Sequence, residues 1–191
     1  MTKVDDVVEA LRSMIDIRDS GQVLIDAPYT RLNIVVIGII KYASTVLNRS
    51  VVYVSADKPY IYVKRLMAAN NVPEDAVIFI DTVSNISSEP VPKEKNVEVL
   101  DNPFCMTALE KLGDAIRKYW DEQSSIVLID NPQTLVSYIE MDCIADILLK
   151  VVLKIGENVT SLYVLDKNLN PELYEQLRTI CNEEKSLRAL I

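Results

Sequence analysis

Apolar residues along this chain recur with two different periods, and the switching between them outlines alternating helices and strands. Val4, Val7, Val8, Leu11 and Ile15 recur at helical spacing with charges between them, predicting an amphipathic surface helix. Gly21 allows a turn, and Val23–Ile25 reads as a buried strand. The stretch from Ile34 to Leu47 is ambiguous. Ile34, Val35, Val36, Ile37, Ile39 and Ile40 are mostly β-branched and locally favour strand. The length of the run, continued by Lys41, Tyr42, Ala43 and Ser44, predicts instead a helix buried on most sides.

Ser50–Ala56 (SVVYVSA) is the clearest strand, and Lys58-Pro59 opens a helix through Leu66 and Met67. Ala76–Ser84 is a third strand, Ser87 to Lys95 an exposed loop carrying Pro90 and Pro92, and Val97–Leu100 a short strand. Leu109, Leu112, Ile116 and Trp120 mark a helix face between Thr107 and Glu122. Ser125–Asp130 is a continuous apolar strand ending in an aspartate. Asp142 is the expected cap of a helix that runs to Ile155 and stops at Gly156. Ser161–Asp166 is a further strand, and Pro171 to about Glu183 the last helix.

Strands that read as near-continuous apolar runs and alternate with helices imply a three-layer α/β fold, a mainly parallel central sheet with helices on both faces. Right-handed crossovers are expected, with Val23–Ile25, Val51–Ser55 and Ile126–Ile129 side by side at the centre. No internal repeat or boundary is visible, so residues 1–191 are expected to form a single domain.

Composition narrows the chemistry. A net charge of −8 and a pI near 4.7 oppose the phosphate attraction that dominates nucleic-acid binding, and no basic cluster offsets them. There is no histidine, which removes the commonest general base and metal ligand and excludes Ser-His-Asp and Cys-His mechanisms. Cys105, Cys143 and Cys181 are widely spaced and form no CxxC pair, so neither structural zinc nor a disulfide framework is expected; a reducing cytosol fits. Cys105 and Cys143 are read as buried small hydrophobes. The acidic, amphipathic N-terminus is unlike a signal peptide, and the longest apolar run, Ile34 to Ile40, is far short of the ~20 residues that span a bilayer. No cofactor, metal, nucleic acid or membrane is therefore expected, and the location is expected to be cytoplasmic.

Ligands of such sheets bind beyond the C-terminal ends of the strands. Three places matter. The first is the loop after the first strand: Ala27, Pro28, Tyr29, Thr30, Arg31, Leu32, Asn33 and Ile34. Its spacing, Ala27, four residues, then Leu32-Asn33-Ile34, is that of a phosphate loop, which would read Gly, four residues, Gly-Lys-Ser/Thr. The second is Asp57-Lys58, and the third is Asp130. Asp26, Asp81 and Asp166 also sit near strand ends, and a turn or cap role is the ordinary one for any such aspartate. Trp120 is read as a helix anchor. Tyr60 and Tyr62 are read as packing residues, with an exposed contact surface as the alternative.

In that order the three places resemble the RecA-like ATPase core, most closely the archaeal branch of KaiC-like proteins. GQVLIDAPYTRLNIVVIGIIKYA resembles that family's first strand, phosphate loop and helix, and VVYVSADKP its second strand. VEVLDNPFCMTALEKLGDAIRKYW is similar to its Asn-Pro-x-x-hydrophobic-Thr segment, and SIVLIDNPQTLVSYIE to its Walker B strand. The resemblance covers roughly Gly21 to Asn168 and implies a P-loop fold with Asp130 at the Walker B position. The diagnostic residues depart from it. Ala27 and Leu32 stand where glycines let backbone N–H groups close on phosphate; Asn33 replaces the lysine and Ile34 the magnesium-binding hydroxyl. Lys58 falls within the acidic pair, leaving Asp57. The resemblance thus implies a pseudo-ATPase with a degenerate Walker A motif; the alternative is an unrelated α/β domain whose loop mimics the spacing.

Two functional classes stay open. One is a non-catalytic interaction or regulatory module, pairing with itself as a homo-oligomer or with an active relative as protein partner. The other is a small-molecule or nucleotide-binding domain, weakly enzymatic, whose ligand is unknown and whose polar contacts would be Arg31, Asn33, Asp57 and Asp130.

Overall fold

The computed structural model describes residues 3–14, 21–86, 94–100, 106–121, 125–156 and 159–191. Seven parallel strands form its sheet: β1 (Gln22–Asp26), β2 (Ser50–Ser55), β3 (Val77–Asp81), β4 (Val97–Val99), β5 (Ser125–Asp130), β6 (Ser161–Leu165) and β7 (Glu183–Ser186). Their order across the sheet is β4-β3-β2-β5-β6-β1-β7. Among the described residues six helices cover it: α1 (Val4–Met14), α2 (Leu32–Lys41), α3 (Tyr60–Ala69), α4 (Met106–Tyr119), α5 (Met141–Ile155) and α6 (Pro171–Ile180).

The continuous apolar strands follow from this layering. Within β2, Val51 and Tyr53 join one core while Val52 and Val54 join the other; Ile126 and Leu128 of β5 likewise oppose Val127 and Ile129. The first core lies under α1, α2 and α3, the second under α4, α5 and α6. With side chains alternating across the pleat and both faces covered, every position must be apolar.

The ambiguous stretch is helical. α2 is buried along Val35–Ile40 because the sheet covers one side and α1 the other, so its sequence carries no polar stripe. Gly38 permits that contact: a Cβ there would stand 2.5 Å from Val7 Cγ1. After Lys41 the helix widens into a π turn over Tyr42–Val46.

The expected sheet order, the end of the last helix and the cap of α5 are corrected. β1 does not lie beside β2 and β5; β6 separates it from β5. β6 is wholly buried and needs an inner position, whereas polar β7, Glu-Glu-Lys-Ser, tolerates the edge. The last helix ends at Ile180, and Glu183 opens β7, which is held to β1 through Asn182 N–H to Gln22 O (2.8 Å) and Leu187 N–H to Asp26 O (2.9 Å). Glu140, at φ −56° and ψ 133°, is the residue that precedes α5, so Asp142 falls inside the first turn rather than capping it. Gly156, at φ 110°, stops that helix as expected.

Cys143 is half-buried against the second core, not fully enclosed, and Cys105 lies outside the described residues, as does most of the loop from Ser87 to Lys95. Trp120 packs partly buried against the second core. Tyr60 is buried, but Tyr62 is exposed. Among the described residues, no helix is long and apolar enough to cross a membrane.

Candidate functional site

The C-terminal ends of β1, β2, β5 and β6 carry two ion-pair clusters. The first is built on β5 and the β2–α3 connection. β2 and β5 are direct neighbours in register Ser55↔Asp130, which sets Asp130 beside the start of the Ala56–Pro59 loop. Asp130 is fully buried; its Oδ2 accepts the Tyr53 hydroxyl at 2.5 Å and Lys58 Nζ at 2.6 Å. Lys58 Nζ also reaches Asp57 Oδ2 at 3.1 Å, and Asp57 Oδ1 accepts Thr134 Oγ1 at 3.0 Å. The loop is held in shape by Ser55, whose hydroxyl donates to the Lys58 carbonyl.

Electrostatically, the cluster is one ammonium between two carboxylates. Burial disfavours the Lys58 ammonium, but Asp130 and Asp57 outweigh it and raise the pKa above the ordinary lysine value. Burial is also the largest influence on Asp130 and pushes its carboxyl above the ordinary range, against the pull of Lys58 and Tyr53. Lys58 therefore stays charged at neutral pH. Asp130 Oδ1 and Asn131 Nδ2 are buried without a hydrogen-bond partner among the described residues. The Asp130–Asn131 peptide is cis.

The second cluster joins β1, β6 and β7. Arg188, just beyond β7, donates from Nε to Asp26 Oδ2 at 2.7 Å and from its terminal nitrogen to Asp166 Oδ1. Asp26 also accepts Lys167 N–H (3.0 Å) and Ser186 Oγ (3.1 Å). Asp166 Oδ2 accepts Tyr29 N–H at 2.7 Å, and its Oδ1 accepts Asn168 N–H at 2.8 Å. Burial alone would raise the Asp166 pKa; those N–H groups and Arg188 outweigh it and hold the carboxyl below its usual range.

In the stretch from Ala27 to Ile34, several backbone N–H groups are engaged within the chain. Ala27 continues the sheet, its N–H donating to Leu165 O at 3.0 Å. Pro28 has no N–H, that of Tyr29 is taken by Asp166, and that of Arg31 by Pro28 O at 2.8 Å. Tyr29–Arg31 is a single 3-10 turn, and Leu32 begins α2. Thr30 and Asn33 are exposed, and Arg31 is half-exposed. Asn33 Nδ2 lies 3.5 Å from Tyr62 Oη. Asn33 and Ile34 line a groove of about 370 Å³ between α1, α2 and α3, alongside Ile37 and Leu66.

The sequence-predicted residues Asp57, Lys58 and Asp130 are therefore brought into direct contact, while Asn33 and Ile34 make their contacts on the helix side. Tyr53, Thr134 and Arg188 were not singled out by the sequence, and Asp166 was named only as one strand-end aspartate among several. Tyr53 reads as an ordinary strand residue, and Arg188 follows a strand that the pattern hides. Asp81 is separated from both clusters: it accepts the N–H groups of Tyr60, Val83 and Ser84 at 2.7 Å each and fixes the start of α3. Among the described residues, no group of three or more His, Cys, Asp or Glu converges as a metal site.

No family model matches the chain, and no curated protein does. Among solved structures, the chain is similar to a KaiC-like protein from the hyperthermophilic archaeon Pyrococcus horikoshii OT3. The TM-score is 0.62 at 15% sequence identity, covering 87% of this chain and 71% of that one. At this identity the likeness defines the fold: a RecA/KaiC-like α/β architecture, in agreement with the all-parallel, three-layer sheet.

Proposed function

We propose that this chain is a non-catalytic RecA/KaiC-like domain, a pseudo-ATPase that works as an interaction or regulatory module. One observation carries the reading: where a nucleotide hydrolase would hold magnesium and phosphate, this chain presents its own cation and its own anion. The Lys58 ammonium lies against Asp57 and Asp130, the carboxylates that would face the metal shell. The Asp166 carboxylate takes the Tyr29 N–H that a phosphate would need. Phosphoryl transfer rests on positioning and on neutralising charge. A triphosphate entering here would meet a turn whose Tyr29 and Arg31 N–H groups are already bonded, and carboxylates already paired.

The experiment is calorimetric titration with Mg-ATP together with a phosphate-release assay on protein free of contaminating ATPase. The reading expects no saturable binding and no release. Low-micromolar binding, or turnover abolished by Asp130→Ala, would overturn it.

A further inference from the structure

We propose that the groove between α1, α2 and α3 binds a free medium-chain monocarboxylate, lying along α2 with its carboxylate at the start of α1. The site stands apart from the strand-end clusters and from the pseudo-ATPase reading. At about 370 Å³ the groove has the volume of a small-molecule site. Its floor is apolar. Ile34, Ile37 and Lys41 recur at helical spacing along one face of α2, and Leu66 of α3 forms the other wall. Ile34 and Leu66 are half-buried, so part of each meets solvent. From Asn33 at one end to Lys41 at the other is about 12 Å of helix, the reach of an extended medium-length alkyl chain. The chain of a membrane lipid, which spans half of a ~30 Å hydrocarbon core, is longer than this floor.

The two ends differ in charge. At one, Asn33 Nδ2 lies 3.5 Å from Tyr62 Oη, and both side chains are neutral. At the other, Lys3 and Asp5 of the α1 start meet Lys41 and Asn70. α2 and α3 run back from the strand ends, so this end is remote from Lys58 and Arg188. The carboxylates there are engaged. Asp5 Oδ1 holds Lys41 Nζ at 2.7 Å, and Asp6, which does not line the groove, accepts the Lys3 backbone N–H at 2.8 Å. Lys41 Nζ also reaches Asn70 O at 3.5 Å. The exposed Lys3 ammonium has no ion-pair partner among the described residues. Among the charged side chains lining the groove, two ammoniums thus meet one carboxylate, and one positive charge is left at the end of an apolar trough. A cationic head would be repelled there, and an uncharged one would leave Lys3 unmatched. A single carboxylate on an alkyl chain answers both features.

The test is a titration followed in ¹H–¹⁵N and methyl spectra with hexanoate, octanoate and 1-octanol, each below its aggregation concentration. It uses the wild type, Lys3→Glu, Leu66→Glu and Leu153→Glu. Leu153 is 61% exposed on α5, on the opposite face of the sheet. In the wild type, octanoate is expected to shift Ile34, Ile37 and Leu66 saturably. It should bind more tightly than hexanoate, by up to about fourfold for each methylene buried. Lys3→Glu replaces attraction by repulsion and is expected to weaken octanoate about tenfold while leaving octanol unchanged. Leu66→Glu is expected to weaken octanoate too, and Leu153→Glu to change nothing. Circular dichroism checks folding, and Lys3→Glu, at an exposed position, carries the test if Leu66→Glu does not fold. The absence of saturable shifts in the groove overturns the proposal, as does an octanoate affinity indifferent to Lys3→Glu. The Mg-ATP titration judges the pseudo-ATPase reading separately.

Discussion

Replacing Lys58 by methionine removes a charge while keeping a stem of similar length. The side chain of Lys58 is 12% exposed and that of Asp130 is fully buried, so the variant leaves a carboxylate without its cation in a dry site. Breaking a buried pair by deleting one partner costs about 3–5 kcal/mol. Asp57, more exposed, recovers hydration and adds little. The pH dependence gives the mechanism a second handle. Burial already raises the Asp130 pKa, and losing the Lys58 ammonium raises it further. A carboxyl whose folded pKa lies above its unfolded value favours the fold at low pH and loses that contribution as pH rises through the folded value. The loss on Lys58→Met is therefore expected to be larger at about pH 8 than at an acidic pH, because protonation relieves the unpaired Asp130 carboxylate. Urea unfolding at both pH values reads it directly. Lys58→Met/Asp130→Asn is expected to recover most of the loss. A cost below about 1 kcal/mol at about pH 8, the size of a surface pair, or one equal at both pH values, would mean that Lys58 does not hold a buried Asp130 charge.

Gly38→Ala places a methyl 2.5 Å from Val7 Cγ1 and should destabilise by about 1–3 kcal/mol in urea unfolding; an unchanged midpoint would mean that α1 does not lie as described. Tyr53→Phe removes the hydroxyl that donates to Asp130 Oδ2 and is expected to cost about 1.5–3 kcal/mol, read by thermal unfolding. Arg188→Met should cost about 1.5–3 kcal/mol at neutral pH, because Asp26 and Asp166 both lose a charged donor. Since Asp166 titrates below its ordinary value of about 3.9, its contribution is present above that value and lost as pH falls through the folded one. The difference between wild type and Arg188→Met should therefore shrink on acidification below about pH 4, and acid-unfolding curves that keep it constant would contradict the assignment.

How much of this was legible in the sequence depended on whether local pattern or tertiary pairing decided each element. β2, β5 and α4 declared themselves through unbroken apolar runs or helical spacing. α2 did not, because a helix enclosed by a sheet and a second helix has no polar face, and only its length argued against strand. β7 was invisible: Glu-Glu-Lys-Ser has neither alternation nor β-branched residues, and its extended form is imposed by β1. Strand order was equally hidden, since burial tells a strand to be inside but not between which neighbours. In the site, Asp57, Lys58 and Asp130 were each visible as strand-end residues. That Lys58 turns inward onto Asp130, 72 positions away, follows from the register of β2 on β5. Asp166 looked like any strand-end aspartate, and its meeting with Tyr29, 137 positions away, depends on β6 lying next to β1.

On the proposed reading, the chain's own groups occupy the positions a magnesium nucleotide would need. The most direct measurement is a ¹H–¹⁵N spectrum of the protein recorded with increasing Mg-ATP into the millimolar range. The Tyr29 amide, bonded to the Asp166 carboxylate, and the Lys58 side-chain ammonium, bonded to Asp130, should keep their positions throughout. Saturable shifts at Tyr29, Arg31 and Lys58, appearing together at one nucleotide concentration, would show that these internal partners yield to phosphate and metal, and would contradict the account.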